Sequence, residues 1–342
     1  MHEQRASEGS KNMSRTTYQM QFVACQSSLW IALLMLAGCS TKDPNVASSK
    51  NDPDERIQVV TTIGMIADMV HEIGGSSVNV IQLMGPGVDP HLYKPNRDDI
   101  QSILESDIVF FAGHHLEGKM TATLEKLSEQ QTVIALAEIL DENLLIRDEQ
   151  SQVDPHLWMD ISLWSGILDP ITQELGKQAP EKAADFSSNA MRMSEQLKNL
   201  HRYGQESIAS IPENQRILIT SHDAFRYFGR AYGVEVEGIQ GLSTESEAGL
   251  QRINKLVDMI SKRKIKAIFI ESSVPKKNID SLIEGCRARG HEVSIGGELY
   301  SDAMGERTSP QGTYLGMMAH NLKTVTRALG GSADESSLSE SK

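Results

Sequence analysis

The sequence is short of cysteine, of basic charge and of long apolar runs. Three cysteines in 342 residues are too few for a disulfide-stapled scaffold, so stability must come from a packed core. Apolar residues at 39% supply one, and the length allows two domains. The 33 basic against 46 acidic residues give a net charge of −13, with no clustered basic surface. That excludes nucleic acid as a partner, because phosphate binding needs such a surface, while an acidic surface suits attracting cations. The apolar run Leu29 to Ala37 (LWIALLMLA) has nine residues. As a helix it would span about 14 Å, well short of the ~30 Å hydrocarbon core, so it is no membrane-spanning anchor.

What is there begins with an address. Arg15 precedes that apolar run, and Gly38-Cys39 follows it, the layout of a secretory signal. The quartet Leu36-Ala37-Gly38-Cys39 resembles the bacterial lipobox, in which the cysteine is diacylated and becomes the mature N-terminus. Residues 1–39 are therefore expected to be a lipoprotein signal peptide and Cys39 its lipidation site, with Met1 or Met13 as the start. Two or more lipid chains suffice for stable attachment to a membrane. Cys25 would leave with the signal, so Cys286 remains as the one free thiol. It falls in line with Ile279, Leu282 and Ile283, and a buried core position is expected.

Residues 40–55 (STKDPNVASSKNDPDE) read as a flexible tether and 331–342 as a disordered tail. Between them strands alternate with helices. IQVVTT (57–62), VNVIQLMG (78–85) and DIVFFAG (107–113) are β-rich runs, with helices over 64–75 and after Asn96. The same grammar restarts with RILITS (216–221). VEVEGIQG, AIFIE (267–271) and HEVSIG (291–296) follow it, separated by helices at 223–233, 246–264, 276–289 and 311–329. Short apolar strands interleaved with helices predict α/β architecture with parallel sheets covered on both faces. Pro180 is placed to open a helix that could run over 181–210 before Pro212, a rod of about 45 Å. The expected organisation is an N-terminal α/β lobe over 56–180, a bridging helix over 181–211 and a C-terminal α/β lobe over 212–330.

The pentapeptide VDPHL occurs twice, at 88–92 and 153–157, in a chain with ten histidines. Proline fixes its own φ and forces the preceding Asp into extended backbone, so little entropy remains to be lost when the His is positioned. The Asp is also spaced to orient the ring through its second nitrogen. Ligands of open parallel sheets sit beyond the carboxyl ends of strands. His91 follows the second strand on a proline-stiffened loop, His222 stands directly after RILITS, and Asp302 follows HEVSIG in GGELYSDAMG. His156 lies in the second VDPHL, just before the inter-lobe helical region. Three imidazoles and one carboxylate make a divalent-metal set. His114-His115 with Glu117 (AGHHLEGK) competes, since it too follows a strand end; it is read as cleft rim or a structural turn. Glu271, ending AIFIE, is read as a helix cap or inter-element hydrogen-bond partner, with orientation of a ligand as the other option. His71 and His201 fall in helices, and His291 and His320 have no partners in sequence.

At these residues the chain resembles a known family, the zinc/manganese-binding lipoproteins of bacterial ABC importers, sometimes labelled adhesins. The resemblance runs over about 56–329. It is carried by TTIGMIADMV, MGPGVDPHLYKP, DPHLWMD, TSHDAFRYFGRAYG, GLST, AIFIESSVPKKN and GGELYSDAMG. It implies two α/β lobes bridged by one long rigid helix, with metal in the interlobe cleft on His91, His156, His222 and Asp302. It also implies a monomer that delivers Zn²⁺ or Mn²⁺ to a membrane permease driven by a cytoplasmic ATPase, outside the cytoplasm and without catalysis. His222 stands where strictly manganese-type members often carry Glu, and the acidic segment DENLLIRDEQSQ (141–152) lacks the histidines of dedicated zinc members. Three imidazoles favour zinc over manganese in the divalent affinity order. The competing readings are a zinc-dependent hydrolase with Glu271 as base, an adhesin, and a siderophore-type binding protein on a similar fold.

Overall fold

The computed structural model of the protein describes residues 56–334. The predicted signal peptide, Cys39, the tether and residues 335–342 lie outside the described residues. The described chain opens with β1 (Ile57–Thr61), α1 (Gly64–Gly74), β2 (Val78–Gln82), α2 (Arg97–Glu105), β3 (Ile108–Phe111), α3 (Thr121–Leu127) and β4 (Val133–Ala135). All pairs in this sheet are parallel, in the order β2-β1-β3-β4. β1 and β3 are central and almost wholly buried, and β3 reads as an unbroken apolar run, as a strand covered on both faces must. α2 starts at a capping box: the Asn96 side chain accepts from Asp98 and Asp99 N–H, and the Asp99 carboxylate accepts from Asn96 N–H, satisfying donors the first turn leaves free.

A helical stretch follows, α4 (Ile161–Trp164), α5 (Leu168–Gln178) and α6 (Ala183–Ala209). Pro180 starts a 3₁₀ turn immediately ahead of α6, where its missing N–H costs nothing. At 27 residues α6 is about 40 Å long. Its buried stripe, Phe186, Ala190, Met193, Leu197, Leu200 and Gly204, is spaced for one face. That face packs on α1 and α5 from one half of the chain and on α7 (Arg226–Tyr232) and α10 (Tyr314–Ala328) from the other. A Cβ on Gly204 would come within 2.7 Å of Tyr232 and 2.9 Å of Leu322, so glycine sets how near α6 comes to these two helices.

The second half holds β5 (Ile217–Thr220), β6 (Glu235–Gly238), α8 (Leu250–Arg263), β7 (Ala267–Glu271), α9 (Lys277–Ala288) and β8 (Ser294–Leu299). β5 pairs β6 and β7 pairs β8, both parallel, and β5 lies beside β7. The last strand is displaced from the expected 291–296, because His291 is used in the turn, where its ring nitrogen meets Ile265 O at 2.6 Å. The strand runs instead through Gly296, whose added Cβ would stand 2.9 Å from Ala328 and Phe269. Cys286 is free and fully buried, in a cluster with Ile279, Leu282 and Ile260. Gly331 and Ser332, expected in the tail, are held by bonds from Gly331 N–H to Thr326 O and from Ser332 N–H to Ser210 Oγ. Among the described residues no helix is long and apolar enough to cross a membrane.

Candidate metal centre

His91 is set by a turn and a contact. Val88 N–H donates to Gly85 O at 3.2 Å, with Pro86 second and Gly87 third at φ 71°. This is the type II arrangement, and its third position calls for glycine. Asp89 Oδ1 then accepts His91 N–H at 2.9 Å. The backbone passes under the His91 carbonyl at Gly118 (φ 43°), where a Cβ would stand 2.8 Å from that oxygen. His156 comes from the second VDPHL, whose Asp154 Oδ1 accepts both the His156 N–H at 3.0 Å and the ring Nδ1–H at 2.8 Å. His222 follows β5 directly. Its N–H donates to Glu271 Oε1 at 2.8 Å, and Glu271 Oε2 stands 2.6 Å from its Nδ1. Gly238 makes this possible, since a Cβ there would stand 2.6 Å from the His222 carbonyl carbon. Asp302 sits three residues beyond β8, next to Ser301, whose carbonyl accepts the Trp158 indole N–H at 2.9 Å.

These four loops bring one ligand atom each to a common point, all within 4.8 Å of one another. His156 Nε2 is 3.4 Å from both His91 Nε2 and His222 Nε2. Asp302 Oδ1 is 3.4 Å from His156 Nε2, and Oδ2 is 3.1 Å from His222 Nε2 and 3.8 Å from His91 Nε2. A tetrahedron built on metal–ligand bonds of about 2.0–2.1 Å has edges of about 3.4 Å, which the three edges meeting at His156 match, so one ion fits among the four side chains. Both Asp302 oxygens are buried without a hydrogen-bond partner, an arrangement that needs positive charge at that point. The carboxylates beside Nδ1 of His156 and His222 hold the proton on that nitrogen and aim the Nε2 lone pair inward.

The electrostatics point the same way. Burial pulls the His156 ring down, but Asp154 and Asp302 more than offset it and push its pKa up to about 9. Burial likewise opposes charge on His222, and Asp302 and Glu271 overcome it and hold the ring well above the usual value. Burial drives His91 down to about 3, because its ring has the Asp302 charge but no carboxylate of its own. Burial raises Asp302, yet His222 and His156 hold it well below the carboxylate range. Without an ion the surrounding carboxylates favour the protonated form of the His156 and His222 rings, and a bound cation would compete with those protons.

The profile of the family described as Zinc-uptake complex component A periplasmic (ZnuA) matches residues 59–328. The chain belongs to this family. It is 45% identical over 304 residues to the manganese-binding lipoprotein MntA of Bacillus subtilis, covering 89% of this chain and 98% of that one. It is 44% identical over 276 residues to the zinc-binding protein TroA of Treponema pallidum, covering 81% and 90%. The solved structure of periplasmic TroA superposes with a TM-score of 0.79, covering 80% of this chain and 99% of that one. Fe(III)-bound YtgA of Chlamydia trachomatis does so with a TM-score of 0.75 at 27% identity, covering 82% and 100%. These matches carry the two-lobed α/β fold of the ZnuA family to this chain.

The remaining sequence candidates are scaffold. Glu117 fills the crevice between the ends of β1 and β3, accepting from Thr62 Oγ1 at 2.7 Å, Ala112 N–H at 2.7 Å and Gly113 N–H at 3.2 Å. His114 and His115 take positive φ in this turn, and His114 is anchored to Glu138 and Ala137, so AGHHLEGK is a structural turn. His201 lies against Tyr232 and His320 meets Glu298 O. Glu271 does more than the expected inter-element bonding, for it faces a ring of the cluster. Its place at the end of β7, beside β5 and His222, was the available signal. Trp158, in DPHLW, was missed; it ties the His156 segment to the Asp302 loop.

Proposed function

We propose that His91, His156, His222 and Asp302 hold one divalent transition-metal ion as transported cargo in the interlobe cleft. As a family member, the chain is the substrate-binding component of an ABC metal importer, working outside the cytoplasm and handing the ion to a membrane permease with its cytoplasmic ATPase. It acts as a monomer, anchored to the membrane by lipid on Cys39, and performs no catalysis. The observation that carries this reading is the pair of partnerless buried Asp302 oxygens facing three convergent Nε2 atoms.

The rival readings lose support at the same residues. A hydrolase needs a free base and an open coordination position, but Glu271 accepts the His222 N–H with one oxygen and holds the other 2.6 Å from the His222 Nδ1, on the side of the ring away from the ion site. A siderophore needs room beside its iron, whereas the ligand atoms lie within 4.8 Å of one another and are nearly or wholly buried. The relatives reported above are named for metal binding rather than adhesion. Those names divide between manganese and zinc at nearly equal identity, so the donor set decides. Three imidazoles favour Zn²⁺ at equilibrium, and manganese stands lowest in the affinity order.

Elemental analysis of purified protein and calorimetric titration of the chelated form test this directly. One ion per chain is expected, with zinc displacing manganese. Asp302→Asn should weaken both and manganese more, since manganese is the harder ion and favours oxygen. A protein that purifies and titrates without bound metal would remove the site. Cys39→Ser should release the protein into the soluble fraction; retention on membranes at high salt would remove the anchor.

A further inference from the structure

The lobes are fastened unequally around the cluster. On one edge polar ties cross between the halves in number. Ile146 N–H donates to Tyr227 OH at 3.0 Å, and Arg226 donates to Arg147 O at 3.0 Å. Arg230 donates to Leu144 O and reaches Asp160 at 3.3 Å. Behind the cluster Trp158 donates to Ser301 O, and Tyr314 OH donates to Trp158 O at 2.6 Å. The edge beside His91 differs. There Thr244 Oγ1–H donates to Asp89 Oδ2, and among the described residues it is the side-chain hydrogen bond that joins the lobes at that edge. Leu92, Val274 and Pro275 line a cavity of about 130 Å³ around it. His91 is also the one histidine of the three whose side chain keeps any exposure, 3% against 0% for His156 and His222.

We propose that the Asp89–Thr244 pair is a latch over the portal by which the ion enters and leaves, with His91 the ligand that closes last and releases first. The inference rests on the receptor reading above. Asp89 links the latch to the ligand, because its other oxygen accepts the His91 N–H. Thr244 is in turn held by its own lobe, with the Gln240 amide donating to Ser246 O at 3.1 Å and Thr244 O at 3.5 Å. Breaking the bond frees the His91 segment to swing outward while the opposite edge stays tied. A hydrogen bond to a carboxylate is strong enough to matter to a rate.

The test is release of Zn²⁺ from loaded protein into excess chelating dye by stopped flow. Calorimetric titration of the same samples gives the affinity. Thr244→Val removes the donor at constant shape and should speed release about tenfold, equivalent to about 1.4 kcal/mol. Thr244→Ser keeps the hydroxyl and should stay within about threefold of the wild type. Arg230→Gln cuts ties on the opposite edge; it should lower the melting temperature and leave the release rate within about twofold. Release from Thr244→Val at the wild-type rate, or equal acceleration in Arg230→Gln, would overturn the latch. Wild-type protein that takes up no Zn²⁺ would overturn the receptor reading and the latch with it.

Discussion

Both copies of VDPHL build the same turn, with an Asp Oδ1 accepting the N–H of the His two residues on, at 2.9 Å in one and 3.0 Å in the other. Beyond that bond they diverge. Asp154 is fully buried and reaches on to Nδ1 of its own histidine. Asp89 is only part-buried and gives its second oxygen to Thr244 in the other lobe. The consequence is opposite charge behaviour, His156 pushed up to about 9 and His91 down to about 3. Local sequence sets the local turn; what arrives from elsewhere in the chain sets the chemistry.

The largest expected effect comes from removing the rings. His156→Ala and His91→Ala should each abolish the ion's contribution to stability, about 4 kcal/mol at free metal 1,000 times Kd. In chelated protein they should separate. His156→Ala leaves Asp154 buried without its partner, which costs about 3–5 kcal/mol, whereas His91→Ala loses packing worth about 1–2 kcal/mol. Urea melts of the two chelated variants measure this, and equal losses would erase the contrast.

Next are the two aspartates. Asp154→Asn removes the charge that orients the His156 ring and should lower metal affinity about 10–100-fold. Asp89→Asn can still accept the His91 N–H and can donate to the Thr244 hydroxyl, so its loss should be under about fivefold. Competition titrations compare them.

The smallest and most specific effect is in pH. In metal-free protein the His156 value is raised from 6.5 to about 9. Its stabilisation is therefore full below pH 6.5 and is lost as pH climbs towards 9. The His91 value is depressed to about 3, so stability is lost instead as pH falls below 6.5 towards 3. NMR titration of the chelated protein should show the His91 ring neutral from about pH 4.5 upward and the His156 ring charged to about pH 8. Asp154→Asn should bring the His156 midpoint down. Two rings titrating together near 6.5 would contradict the contrast.

The four ligand candidates are legible in the sequence because each follows a strand or a stiff proline turn, and those signals are local. β4 is not, being three half-buried residues that are too few to show alternation. The end of β8 is hidden in the sequence because Gly296-Gly297 argues against a strand; the close approach of α10 and β7 explains the glycines. The roles of Glu271 and Thr244 are hidden in the sequence for one reason. Their partners His222 and Asp89 lie 49 and 155 residues away, and no periodicity reports a contact of that range.

The stripe along α6 also limits how the molecule can move. Rigid rotation of one half against the other would peel one end of that helix from α1 and α5, or the other from α7 and α10. Each large side chain so exposed costs about 1.5–3 kcal/mol, and Phe186, Met193, Leu197 and Leu200 are all 3% exposed or less. Uncovering two of them would outweigh a single hydrogen bond at the rim. The spine is therefore stiff and the rim compliant. A transporter that docks on this protein would then read the posture of a few loops rather than a change of silhouette.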